Sequence, residues 1–410
     1  MASPTESAGR TEARALDLAD PLRAFRDRFL VADGKLVYLE GNSLGRLPLD
    51  TVARLAQVAE LEWGERLIRS WGERWMELPE RLGDRIGSAL LGAEPGQVAV
   101  ADSTTVCLYK LASAALAARP GRSEIVTDRD NFPTDRYVLE SLASEHRLRI
   151  RWLDADSRSG PSPEDVAAVT SESTALVCLS HVSYKSAFIL DVPGITRVAH
   201  RAGALALWDL CHSVGAVAIS LDADGVDLAV GCTYKYLNGG PGAPAFLYVR
   251  SEHQGQLRQP IWGWLGRREP FEMAQGYEPG EGIAAMRSGT PPILSLVGVE
   301  AGAELVIEAG IEAIRAKGIA LTEFVIELAD RLLAPLGVEV GSPRDSARRG
   351  AHVAFVHPDA RALSGRLVEA GVIVDFRAPD VIRIGLSPLT TSFTEAWRGI
   401  ARLRQQLIDR

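Results

Sequence analysis

The chain has 410 residues, 46% hydrophobic and 24% charged, with a formal net charge of −8 and a pI near 5.5. That length allows roughly two domains of about 150–200 residues, and the acidic balance argues against nucleic acid, whose phosphates call for a basic surface. No run approaches the ~18 apolar residues of a membrane span, Met1–Asp20 lacks a signal-peptide core, and four scattered cysteines (Cys107, Cys178, Cys211, Cys232) without a CxxC pair suit a cytoplasmic protein.

In chain order, residues 1–20 read as a polar N-terminal tail, followed by helical stretches at Asp50–Ile68 and Trp75–Leu91. From there short apolar runs alternate with helix-like segments. Strands are predicted at Gln97–Ala101, Glu124–Thr127, Arg149–Leu153, Ala175–Ser180, Leu205–Trp208, Leu228–Thr233 and Ala245–Val249, with helices at Val106–Ala118, Thr134–His146, Pro163–Val169 and Ile195–Ala202. This rhythm predicts βαβ units and a mostly parallel central sheet, and continuously apolar runs suit strands covered by helices on both faces.

After Pro291-Pro292 the rhythm changes. A long helical region from Ile293 towards Ala334 is predicted to break near Gly310 and Gly318. Strands follow at Val338–Val340, His352–His357, Val372–Phe376 and Val381–Leu386, with a helix at Arg361–Ala370. Ser392-Phe-Thr-Glu395 has the form of a capping box before a last helix. The expected division is therefore residues 21–292 as an N-terminal segment with a large α/β domain, and residues 293–410 as a smaller α+β domain.

Chemistry concentrates at strand ends. Asp209 closes the run Leu205–Trp208, and Lys235 follows Leu228–Thr233 inside Tyr234-Lys-Tyr-Leu-Asn-Gly-Gly-Pro-Gly242. An acid and a lysine beyond the C-terminal ends of parallel strands face the crevice where open α/β sheets bind ligands. Pyridoxal phosphate (PLP) needs such a pair, a lysine for the Schiff base and a carboxylate for the pyridine nitrogen. Taken singly, such a lysine is usually a solvated surface residue, and a helix cap is the plain alternative for such an aspartate. Asp102-Ser-Thr-Thr105 falls where a helix start would bind a phosphate, although an ordinary N-cap explains it equally well alone. His212 reads either as a core histidine or as a neighbour of a flat ring.

The motifs Tyr38-Leu-Glu-Gly-Asn-Ser-Leu-Gly45, Asn131-Phe-Pro-Thr-Asp135, His181-Val-Ser-Tyr-Lys-Ser186, Gly263-Trp-Leu-Gly266, Arg287-Ser-Gly-Thr-Pro-Pro292 and Val381-Ile-Arg-Ile-Gly385 join these. With them the chain resembles the kynureninase family, of the bacterial type, over about Val37 to Trp397. The resemblance implies the fold-type I PLP-dependent transferase fold and hydrolysis of L-kynurenine to anthranilate and L-alanine, a reaction of tryptophan catabolism. By resemblance, Lys235 carries the cofactor and moves the α-proton, Asp209 pairs with the pyridinium, and Tyr234 relays protons. Thr104, Thr105, Phe132, Asp135, Ser180 and His212 complete the cofactor site. Trp264 and Thr290 match positions that reach the cofactor of a neighbouring subunit, which implies a homodimer with its active site at the interface. Asn42, Ser43, Trp71 and Arg383 match the substrate side, with Arg383 receiving the α-carboxylate, a task suited to a guanidinium. No metal is implied.

Trp71 stands where animal enzymes favouring 3-hydroxykynurenine carry histidine, so a preference for unsubstituted kynurenine is expected. His181 is expected to be structural, and Lys185 to lie in a loop without an acid partner. Cys107, Gly72 and Thr390 depart from the family pattern, which leaves open a substituted kynurenine as substrate. Two further alternatives remain: a cysteine desulfurase-like lyase, which needs a mobile cysteine near its substrate, and a non-catalytic PLP-binding protein.

Overall fold

The computed structural model describes residues 4–31, 34 and 36–409. Among the described residues thirteen strands form three sheets: β1 Val37–Tyr38, β2 Val98–Ala101, β3 Glu124–Asp128, β4 Arg149–Leu153, β5 Thr174–Ser180, β6 Leu205–Asp209, β7 Leu228–Gly231, β8 Ala245–Val249, β9 Glu339–Val340, β10 His352–Val356, β11 Val372–Ile373, β12 Asp375–Arg377 and β13 Val381–Gly385. The large sheet has the order β2-β8-β7-β6-β5-β3-β4. Its strands run parallel except β8, which is antiparallel to both neighbours. One apolar cluster covers each face: Leu82, Val100, Val177, Trp208 and Phe246 on one side, Leu111, Ile125, Leu176, Leu207 and Leu247 on the other. The mostly parallel, doubly covered sheet expected from the apolar runs is therefore present.

The register carries the chemistry. Ser180 at the end of β5 is paired with Asp209 at the end of β6, and Asp209 with Val230 of β7. Lys235 follows four residues after β7 ends at Gly231, and the helix Thr104–Ala117 starts just beyond β2 with Ser103 as its N-cap.

The second sheet, β12-β13-β10-β9, is antiparallel throughout. Helices Ile311–Leu332 and Ala360–Glu369 pack on it. Two expectations change here. The helical region after Ile293 breaks at Gly310, whose φ of +78° favours glycine, whereas Gly318 stays inside the helix Ile311–Leu332. Residues 372–376 split into β11, which pairs with β1, and β12, which pairs with β13.

Residues 4–19, expected as part of a polar tail, form a helix. Ala13 and Leu16 join the cluster of Phe324, Leu363, Ile382 and Ile400, and Val37 and Leu39 do so as well. The amphipathic face of that helix is short and alanine-rich, which is why a reading for polarity passes over it. Asp17 then accepts the N–H groups of Phe393 (2.7 Å) and Thr394 (3.0 Å) at the start of the last helix.

Candidate active site

A cavity of about 190 Å³ opens at the C-terminal ends of β6 and β7, lined by Thr104, Thr105, Phe132, Asp135, Asp209, His212, Tyr234 and Lys235 together with Ser103, Thr134, Cys211, Gly242 and Ala243. Eight residues singled out from sequence thus meet in one enclosed space. Lys235 is buried, with Nζ 3.5 and 3.3 Å from Nδ1 and Nε2 of His212. The rings of Phe132 and Tyr234 are centred 5.9 and 6.0 Å from that amine. Burial first, then the Lys235 and Arg383 charges, pushes His212 well below the usual imidazole range, so its ring is neutral.

Asp209 Oδ1 accepts the Cys211 N–H at 2.7 Å, and Ser180 Oγ lies 3.4 Å from Oδ2 while donating to Asn131 Oδ1 at 2.6 Å. Asp135 faces Asp209; burial, then the Asp209 charge, pushes its carboxyl well above the ordinary range. Its Oδ2 is buried without a hydrogen-bond partner. Two facing buried carboxyl groups form a site for a cation that donates a hydrogen bond. Burial and the nearby thiols of Cys232 and Cys211 raise Tyr234 far above a free phenol, so it stays a proton donor. The site therefore offers an amine, an acid pair and a hydroxyl-bearing helix start, which are the groups that PLP requires.

Arg383 forms an adjoining cluster. Its guanidinium donates to both oxygens of Asp375, to the Tyr184 carbonyl (Nη1, 2.7 Å) and to Ser43 Oγ (Nη2, 3.1 Å). The Tyr184 ring packs edge-on to Phe132 with centroids 5.3 Å apart, linking this cluster to the cavity. Asn42 is fully buried and both polar atoms of its amide lack partners. Gly45 donates its N–H to the Tyr234 carbonyl at 2.8 Å, and a Cβ there would collide with the Lys235 carbonyl and Asn238. The Gly-Asn-Ser-Leu-Gly segment thus presses directly on the lysine turn.

Trp71, Trp264 and Thr290 do not line the cavity. Trp71 packs edge-on to Trp75, Trp264 on Phe271, and Thr290 is exposed. His181 is buried, and its backbone N–H donates to the Asp209 carbonyl. Lys185, expected to lack an acid partner, pairs with Asp130 at 3.0 Å. Cys107 points into the core and lies 3.2 Å from the Ala101 carbonyl, and Gly72 has open space around it. Asp375, Tyr184 and Asn131 were missed as site residues. Tyr184 and Asn131 lay inside quoted motifs, whereas no local pattern marked Asp375.

Comparison with solved structures finds the fold in a cysteine desulfurase from Thermococcus onnurineus NA1 (TM-score 0.80, 18% identity, 97% of this chain and 98% of that one). It recurs in a C-DES variant with glycine linked to its PLP cofactor (TM-score 0.81, 19% identity, 92% and 98%). These likenesses bear out the fold-type I architecture. The model of the kynureninase C-terminal domain matches residues 314–403. Kynureninases of Pseudomonas fluorescens (98% of this chain, 96% of theirs) and Burkholderia pseudomallei (97% and 95%) are each 42% identical to it. With that identity over nearly its whole length, the chain belongs to the kynureninase family.

Proposed function

We propose that the cavity binds PLP and that the chain uses it to hydrolyse L-kynurenine to anthranilate and L-alanine. The observation that carries this reading is the buried Lys235 amine, which forms no salt bridge among the described residues, in one cavity with the Asp209–Asp135 pair. Thr104, Thr105 and the helix start would hold the phosphate, Asp209 and Asp135 the pyridine N–H, and Phe132, His212 and Ser180 would complete the cradle. When bound, PLP supplies an electron sink for bond breaking at the substrate's α- and β-carbons.

The chain's own groups do the rest. The Lys235 amine takes the α-proton and returns it. The protonated Tyr234 phenol serves the proton transfers that accompany addition of water to the γ-carbonyl and departure of anthranilate. Asn42, Ser43 and Arg383 bind the substrate, Arg383 by its α-carboxylate.

The same reading makes the working unit a homodimer in which Trp264 and Thr290 complete the partner's site. An apolar groove of about 560 Å³, lined by Leu47, Leu55, Ala59, Pro241 and Leu294, supports it, as does the exposure of Leu49, Val52 and Trp262. Trp71 would favour unsubstituted kynurenine. No helix among the described residues is long and apolar enough to cross a membrane, and four buried free cysteines suit the cytoplasm.

The test is to incubate the purified protein with kynurenine and 3-hydroxykynurenine, following anthranilate products and alanine, and to locate the borohydride-fixed cofactor. Faster anthranilate release from kynurenine, with label on Lys235, is expected. Release of alanine from neither substrate would overturn the reading.

A further inference from the structure

Arg383 is 1% exposed, and its donors are almost all engaged. A guanidinium has five N–H groups. Nε and one Nη2 hydrogen are held by the two oxygens of Asp375, one Nη1 hydrogen by the Tyr184 carbonyl, and the second Nη2 hydrogen by Ser43 Oγ. One Nη1 hydrogen remains.

The acceptors differ in freedom. The Tyr184 carbonyl is main chain. Asp375 is also held by Arg377, whose Nη2 lies 2.6 Å from Oδ2. Burial works against its ionisation, but the Arg383 hydrogen bonds and the charges of Arg383 and Arg377 keep its carboxyl below the ordinary range. Ser43 is a single hydroxyl that rotates, and it also lies 3.4 Å from Asp375 Oδ2. The Nε–Nη2 edge of the fork is therefore occupied by a fixed carboxylate, while at the Nη1–Nη2 end one Nη1 hydrogen is uncommitted and one Nη2 hydrogen is held only by a hydroxyl that can turn away.

We infer that Asp375 is a positioning residue for the substrate: it holds Arg383 by the Nε–Nη2 edge so that the Nη1–Nη2 end receives the α-carboxylate as the Ser43 hydroxyl swings aside. The inference rests on Arg383 being the carboxylate site. Two physical effects of Asp375 oppose each other. Its charge competes with an incoming carboxylate, whereas its geometry fixes the plane of the fork. Positioning is the effect that decides, because a misplaced guanidinium loses its two-point contact.

The test uses the PLP-loaded enzyme and two ligands: kynurenine, and the amine left when kynurenine loses its α-carboxyl group, measured as an inhibitor. For Asp375→Asn, kcat/KM for kynurenine is expected to fall about 100-fold, mainly through KM. Affinity for the amine and the absorbance of the bound cofactor should stay at wild-type levels. Equal loss for both ligands would mean general damage to the site and overturn the inference, as would unchanged or tighter kynurenine binding. Should Asp375→Asn fold poorly, Asp375→Glu makes the same comparison with the charge retained at a different reach. Arg383→Lys separates the two levels. If it loses the preference for kynurenine while the Asp375 variants keep it, only the positioning role falls. If it keeps the preference, the assignment of Arg383 falls too.

Discussion

Asp227 is a buried carboxylate with three donors: His200 Nε2 (2.8 Å) and the Ala206 N–H (2.8 Å) on one oxygen, His253 Nε2 (2.7 Å) on the other. Burial raises its pKa, but these hydrogen bonds prevail and bring it from 3.8 down to about 2. The hydrogen bond to Asp227 raises His200 above its ordinary 6.5. The aspartate's contribution to stability is present above pH 3.8 and lost as pH falls towards 2; that of His200 is present below 6.5 and lost as pH rises through its raised folded value. Asp227→Ala is expected to lower the unfolding free energy by about 3 kcal/mol, most between about pH 4 and pH 6.5. Denaturant titrations at about pH 5 and about pH 9 would check it; an equal loss at both would show that the histidine charge plays no part.

At the scale of elements, Glu395 was expected to close a capping box with Ser392. Only half of the box forms. Ser392 Oγ accepts the Glu395 N–H at 3.0 Å, but the Glu395 carboxylate turns inward to Arg46 (2.7 Å), Arg26 (2.7 Å) and the Tyr38 N–H (3.0 Å). It joins the last helix to β1 and the segment before it. Glu395→Gln is expected to cost about 3 kcal/mol by leaving two arginines near an uncharged amide. Hydrogen exchange should show the Tyr38 amide opening before those of the large sheet; unchanged protection there would count against the role assigned to this carboxylate. This contact also shows what a sequence conceals. The strand Ala245–Val249 was legible to the residue because its apolar character is a local property. Lys235 and Asp209 were legible because they follow such runs, and their neighbours because whole motifs accompany them. Asp375 and the inward turn of Glu395 were not: Glu395 is defined by partners distant in the chain, and Asp375 meets Arg383 only through the register of β12 on β13. Gly318 misled for a related reason: its helix is held by packing, which outweighs the roughly 1 kcal/mol that a glycine costs.

The whole molecule separates into groups that meet within one chain and groups that do not. Lys235 and Asp209 meet in the cavity, and Arg383 adjoins it through Tyr184 and Phe132; Trp264 and Thr290 stand away from the cavity. If a second copy supplies those two, inactive variants should complement each other. Lys235→Ala and Trp264→Ala proteins, unfolded together and refolded with PLP, are expected to regain part of the activity that neither has alone, because a hybrid dimer contains one site with all its parts. Activity no higher than the sum of the separate samples would place Trp264 outside the partner's site.

The junction between the first forty residues and the last helix bears on how the chain is made. Asp17 holds the start of that helix, β1 pairs with β11, and Tyr38 and Glu395 are 357 positions apart. On a ribosome adding about 5–20 residues per second, the N-terminal segment waits roughly 20–70 s for its partners. During that interval Ala13, Val37 and Leu39 have no finished surface to cover them. The part built on the second sheet is thus the last to close, and the nascent chain is most exposed to chaperones and proteases at its oldest end.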